Sequence, residues 1–234
     1  MFQNFKKREI LGMEFAGIML LKKVIIEKSF SFPPAAVLYP GTAAHFSDVK
    51  KEAFRKTIHL FIALAPSLAV INYQFSVLLL VTGILSYTVM ELLRQNGVRV
   101  PLVSDITAMV CRRREKNRFV LGPVTLGIGT LVSLLVFPPP VAYISIFALA
   151  LGDGLSSIAG QMFGNIRPRF LFGKSVEGSA ACFAATFFSA WLVSHSHIVS
   201  LTAAVTATVI EALPLKDYDN IALPLAVGFA VQLL

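Results

Sequence analysis

Long apolar runs, broken at short intervals by proline, glycine and charge, dominate the chain. The clear ones cover Thr57–Ile71, Phe75–Leu93, Phe119–Phe137, Val141–Phe163, Ser179–Val193 and Ile198–Leu213, and a further run reaches from Ile221 to Leu234. Each predicts a membrane helix. Several are shorter than the roughly 20 residues of a perpendicular crossing, so some ends are expected in the interface. The expected fold is all-α, a polytopic membrane helical bundle of about seven transmembrane helices, built from residues 51–234. Residues 1–50 are set apart as a basic N-terminal segment. Its apolar stretch Ile10–Leu21 is short for a span and closed by Lys22 and Lys23, which predicts helices lying in the interface. A short crossing or re-entrant helix is the alternative. Pro33, Pro34, Pro40 and Gly41 mark a loop before the bundle.

Composition supports a membrane protein. The chain is 56% hydrophobic and 15% charged, with a mean hydropathy of +0.72, whereas a soluble domain needs a charged exterior. Lys6, Lys7 and Arg8 are followed by no small-residue cleavage site, so no cleavable signal peptide is expected. The net charge of +8 raises nucleic acid as a partner, but the basic residues cluster beside apolar runs, where they orient helices and meet anionic lipid. The connectors Asn72–Gln74, Pro138–Pro140 and Ser194–His197 hold no Lys, Arg, Asp or Glu. Those on the other side, Arg94–Arg118, Gly164–Gly178 and Pro214–Asn220, are charged. The positive-inside rule assigns the charged side, with the N-terminal region, to the cytoplasm. Cys111 and Cys182 are far apart and expected to be unpaired.

Asp153 interrupts an apolar run fit to cross a bilayer. An intramembrane acid costs about 2.5–3.5 kcal/mol on insertion scales, so it is expected to face a cavity or a partner. Ser156, Ser157, Gly160 and Gly164 follow it at helical spacing, which places a stripe of small residues beside the carboxylate. Such a stripe admits a second backbone or a ligand, and Gly160 with Gly164 could also mediate dimerisation. The order of residues leaves the oligomeric state open.

Further polar clusters stand on the same expected side. Lys51, Glu52, Arg55, Lys56 and His59 lead into the first clear run, with Arg55 and His59 on one helix face. Gly173-Lys174-Ser175 resembles the end of a phosphate-binding P-loop, but Pro168 stands where that motif needs glycine. Arg167, Arg169 and Lys174 still bring positive charge to the start of a helix, where free N–H groups bind anions; an ordinary basic loop with a Ser cap is the alternative. Glu211, Asp217, Asp219 and Asn220 are hard oxygen donors suited to Mg²⁺, or else a solvated, capped turn. Together the clusters offer carboxylates for a divalent ion and cations for phosphates, as phosphoryl or nucleotidyl transfer requires.

The order Arg55-Lys56-x-x-His59, Gly152-Asp153 with Gly160 and Gly164, Gly173-Lys174-Ser175-x-Glu177-Gly178-Ser179, then Glu211-x-x-Pro214 with Asp219-Asn220 and Pro224 resembles the polyprenol kinase family. That family comprises dolichol kinase, phytol kinase and CTP-dependent diacylglycerol kinase. The resemblance covers about Lys51 to Val227. It implies a multi-pass enzyme that moves the γ-phosphate of CTP to a membrane lipid alcohol (a polyprenol, a phytol-like alcohol or diacylglycerol) with Mg²⁺ or another divalent cation. It implies that Arg55, Lys56, Asp153 and Gly160 are required for activity; the catalytic candidates are Arg55, Lys56, Asp153 and Asp219, with either Asp153 or Asp219 positioning or deprotonating the hydroxyl. It further implies nucleotide binding by His59, Gly160, Lys174, Ser175, Glu177, Gly178, Ser179 and Asn220, and metal binding by Asp153, Asp217 and Asp219. Phosphatidate cytidylyltransferases share a similar acid-glycine helix and loop, but their terminal segment carries His and Arg elements that do not follow Glu211 here. A transporter is the non-enzymatic alternative, since buried acids also serve ion relay.

Overall fold

The computed structural model describes residues 54–98 and 119–234, all within one compact unit, Val49–Leu234. Expectations that fall on residues 1–53 and 99–118, among them the interfacial N-terminal segment, Lys51, Glu52 and Cys111, lie outside the described residues. Within the described residues the chain is helical and holds no strand. The helices are α1 (Phe54–Ile71) and α2 (Tyr73–Gln95), α3 (Gly122–Val136), α4 (Pro139–Met162) and α5 (Val176–Ser194), α6 (His197–Ala212) and α7 (Asp219–Gln232). Each apolar run has become one helix. Of these, α1, α2, α4 and α5 are long and apolar enough to cross a membrane, while α3 and α6 are shorter apolar helices. The result is a helical membrane bundle.

Local chemistry sets the breaks. Pro66 has no N–H to offer the Ile62 carbonyl, and α1 tightens there into a 3₁₀ turn, Ile62–Leu64. A single residue, Asn72, parts α1 from α2, and its Oδ1 accepts from Phe75 N at 3.0 Å as an N-cap. The expected connector Asn72–Gln74 is therefore shorter than the sequence implied. Pro138 is extended and Pro139 opens α4, the position where proline's missing N–H costs nothing. The last turns of α4 before its polar end, Ala148–Asp153, are π-helical. Such widened turns are frequent at functional sites.

The bundle is built around α4, which packs on α5, α6 and α7 through a core of Ile144, Leu149, Cys182, Ala203, Ala207, Leu223 and Val227. The alanines of α6 let these helices approach closely, the usual solution where burial alone drives no association. Cys182 is a free thiol in this core. On the periphery α2 lies against α1 and α3 and leaves Leu78, Leu79, Leu85 and Val89 exposed, as a lipid-facing helix would. Its one buried acid, Glu91, accepts from Val120 N at 2.9 Å and from Arg94 Nε and Nη2 at 2.7 Å. That carboxylate fastens the approach to α3 onto α2.

The contact of α3 with α7 depends on missing atoms at two positions. Pro224, inside α7, has no N–H for the Asn220 carbonyl one turn earlier. Gly129 of α3 packs against that same carbonyl so closely that an added Cβ would stand 2.0 Å from its oxygen. Asn220 also donates from Nδ2 to Thr125 Oγ1 at 2.9 Å and to the Gly122 carbonyl at 3.3 Å. Gly129→Ala must push α3 from α7, and overpacking of this kind costs about 1–3 kcal/mol. Thermal unfolding in detergent is expected to show that loss, and an unchanged midpoint would contradict the crossing.

Candidate active site

One cavity of about 380 Å³ gathers the polar ends of the bundle. Arg55 and Lys56 reach it from α1, and Asp153, Ser156, Ser157, Gly160 and Gln161 from α4. The loop between α4 and α5 contributes Arg167, Gly173, Lys174 and Ser175, and the start of α5 adds Gly178 and Ser179. Glu211 from the end of α6, Lys216 from the following turn and Asp219 from the start of α7 complete the wall. Its volume falls in the range of small-molecule sites.

Two ion pairs organise the cavity. Lys56 Nζ donates to Asp153 Oδ2, and both residues are 2% exposed. His59 Nδ1 lies 3.3 Å from the same oxygen. The second pair joins Lys174 Nζ to Glu211 Oε1. The Ser156 hydroxyl links α4 to the second pair, 3.1 Å from the backbone carbonyl of Asp153 and 3.1 Å from Glu211 Oε1. In the connector, burial draws the Lys174 ammonium toward neutrality, but Glu211 and Asp153 outweigh it and hold its pKa above the ordinary lysine value. Lys174 is therefore charged at neutral pH. Asp219, at the connector end of α7, is affected in the opposite sense to a salt-bridged acid. Burial first, and then the negative charge of Asp153, push its carboxyl up to about 6 against the pull of Lys56, Lys174 and Arg55.

The small residues of α4 serve this geometry. A Cβ on Gly160 would lie 2.9 Å from Ser175 Oγ and 3.6 Å from Gly178 Cα, and a Cβ on Gly178 would lie 2.9 Å from the Ser156 carbonyl. The stripe is thus filled by the start of α5 in the same chain, which accounts for Gly160 without a second copy. Gly164 falls beyond the end of α4 and packs under Ser175 instead of extending the stripe.

Several expected contacts are placed otherwise. The N–H groups at the start of α5 are already used: Ser175 Oγ accepts from Gly178 N at 3.1 Å, the Ser175 carbonyl from Ser179 N at 3.0 Å, and the Ile166 carbonyl from Val176 N at 2.9 Å. Ser175 is an N-cap, so phosphate would meet side chains here more than backbone. Glu177 points back into the loop and accepts from Asn165 N at 2.9 Å and Ile166 N at 3.2 Å. Asn220 is buried against α3, and Asp217 and His59 lie outside the cavity wall. Glu211 takes the place expected of Asp217 as the third acid of the cavity. Its signal in the sequence was an acid closing an apolar run, on the face that Ser156 and Lys174 share.

Two cavity atoms, Ser179 Oγ and Glu211 Oε2, are buried with no hydrogen-bond partner among the described residues. Buried polar groups left so call for a ligand or ordered water. Among the described residues, no group of three His, Cys, Asp or Glu is assembled tightly enough to hold a metal by itself. The donor set instead suits Mg²⁺ held by one or two carboxylates together with substrate phosphates.

The chain is similar in sequence to several known proteins. The chain is 32% identical over 143 residues to the Triticum aestivum protein named "Probable phytol kinase, chloroplastic", covering 53% of this chain and 48% of that one. It is 30% identical over 158 residues to phytol kinase 1 of Arabidopsis thaliana, covering 59% and 51%. With CTP-dependent diacylglycerol kinase 1 of Eremothecium gossypii it shares 24% over 191 residues, 76% of this chain and 60% of the relative. These relatives are lipid kinases, and they bear out the resemblance to the polyprenol kinase family. The chain spans between 48% and 60% of the length of the curated relatives it matches. No family model matches the chain, and no solved structure matches it significantly.

Removing Asp153 leaves Lys56 as a buried, uncompensated charge, and breaking such a pair costs about 3–5 kcal/mol. Asp153→Asn is expected to lower the thermal midpoint in detergent, and Lys56→Met with Asp153→Leu to recover most of it. A double variant no more stable than Asp153→Asn would contradict the pairing.

Proposed function

We propose that the protein is a CTP-dependent lipid-alcohol kinase, transferring the γ-phosphate of CTP to the hydroxyl of a membrane lipid alcohol at the cytoplasmic face. The observation that carries this reading is the single cavity in which Arg55, Lys56, Lys174 and Arg167 face Asp153, Glu211 and Asp219 at the polar end of an apolar bundle. Cations of that number suit a triphosphate. The names of the relatives supply CTP as donor, through the diacylglycerol kinases, and lipid alcohols as acceptors. The distribution of Lys and Arg along the chain supports the cytoplasmic side.

In this reading the acceptor oxygen attacks the γ-phosphorus, the bond to the β–γ bridging oxygen breaks, and CDP leaves. Asp219 takes the hydroxyl proton, because its raised pKa makes it a better base than an ordinary carboxylate. Asp153, paired with Lys56, holds that ammonium toward the phosphates. A divalent ion would be held by Glu211, through its unpartnered Oε2, and by Asp153, and when bound it supplies charge neutralisation between phosphates. Lys174 releases Glu211 as it turns to the nucleotide.

Purified protein given γ-labelled CTP and a panel of lipid alcohols, with labelled ATP as control, is expected to label the lipid and release CDP. Release of pyrophosphate with formation of a CDP-lipid would show a cytidylyltransferase instead. Asp153→Asn is expected to retain at most trace turnover while still inserting in the membrane. An acid with a raised pKa is protonated below that value and ionised above it, so the rate should rise as pH passes through about 6. Asp219→Asn should abolish that limb and lower the rate by about 10²–10⁴; an unaltered pH profile would remove Asp219 as the base.

A further inference from the structure

The loop between α4 and α5 has two faces with opposite chemistry. Inward, Arg167, Gly173 and Lys174 form part of the cavity wall. Outward, Phe163, Ile166, Phe170 and Phe172 are exposed by 54%, 61%, 74% and 63%. A connector bathed in water gains nothing from four large apolar side chains, and an exposed apolar cluster marks an interaction surface. The loop is also held rigidly in this presentation. Arg167 Nη1 donates to the Gly173 carbonyl at 2.9 Å and Nη2 to the Gly160 carbonyl at 3.0 Å, while Glu177 accepts from Asn165 N and Ile166 N. Phe172 adopts a left-handed conformation, φ +49°, a region where a bulky residue is a genuine outlier. Asn or Gly would sit there without strain, so the position is occupied for what its side chain touches.

What it can touch is limited by the fold. The loop joins two helices long and apolar enough to cross a membrane, so its outer face meets the interface of the leaflet in which they end. Aromatic side chains beside Arg169 match that layer, with rings among the upper chain segments and the Arg169 guanidinium at the headgroups. We propose that residues 163–172 form a membrane-inserted rim through which the acceptor lipid reaches the cavity. The rings of Phe170 and Phe172 sit among lipid chains on one side of the loop. On the other side, Arg167 and Lys174 hold the phosphate site, so a lipid passing along the rim presents its hydroxyl to that site. The role in acceptor entry rests on the kinase reading; insertion of the rim does not.

Phe170→Trp in a Trp191→Phe background, reconstituted in phosphatidylcholine vesicles, reports insertion independently of activity. Quenching by chain-brominated phosphatidylcholine with little quenching by aqueous acrylamide is expected, and the reverse pattern would overturn the rim. Phe170→Ser with Phe172→Ser tests entry. The KM for the lipid alcohol, as mole fraction in mixed micelles, is expected to rise about tenfold, as partial loss of apolar contact at two rings implies, with kcat and the KM for CTP unchanged. An unchanged lipid KM, or an equal rise in both constants, would overturn the entry role. A protein with no CTP-dependent lipid phosphorylation at all would fail the functional reading and still return the quenching result.

Discussion

The pair formed by Lys56 and Asp153 is buried at 2% exposure inside an otherwise apolar bundle, and most of the polar end is arranged around it. Each charge alone would be prohibitive there. Together they are tolerable, but a buried pair is seldom better for stability than apolar residues of the same volume. Its consequence is organisational. Lys56 and His59 lie within the first described helix and Asp153 in the central one, so neutralising the acid locks α1 onto α4. Ser156, one turn further, carries the arrangement to Glu211 and through it to Lys174. Elements distant in sequence are thereby drawn to one cavity, where Arg55, Lys56, Arg167, Lys174 and Lys216 outnumber Asp153, Glu211 and Asp219 before any ligand arrives.

Small residues make this charge cluster possible. Gly160 and Gly178 let α4 and α5 meet almost backbone to backbone, which brings the Ser175 cap and Lys174 within reach of the acids. At the opposite side, Gly129 and Pro224 let α3 approach the Asn220 carbonyl, and the anchored Asn220 positions its neighbour Asp219. Glycines here act at a distance from the chemistry, through the helix separations they permit.

Much of the bundle was legible in the sequence because hydropathy and proline reveal helix limits directly: α2, α4, α5 and α6 begin and end within three residues of the apolar runs. The convergence of Arg55, Lys56, Asp153, Lys174 and Asp219 was also legible, since charge is so rare here that each charged cluster stands out. Partner choice was not. Nothing in side-chain order says that Glu177 turns to Asn165 and Ile166, that Asn220 turns to Thr125, or that Glu211 and not Asp217 faces Lys174. Those outcomes depend on helix rotation, and the π-helical turns at Ala148–Asp153 alter rotation without altering composition. Glu91 escaped for a related reason: its partner Val120 N lies 29 residues away, in the approach to α3.

The central claim is that the start of α1, the loop before α5 and the turn before α7 share one bound nucleotide. Photolabelling with an azido-cytidine triphosphate, followed by peptide mapping, tests it without depending on turnover. Labelled peptides are expected from at least two of these regions, around Arg55, Lys174 and Lys216, with protection by excess CTP. Label confined to residues remote from all three, or unaffected by CTP, would contradict it.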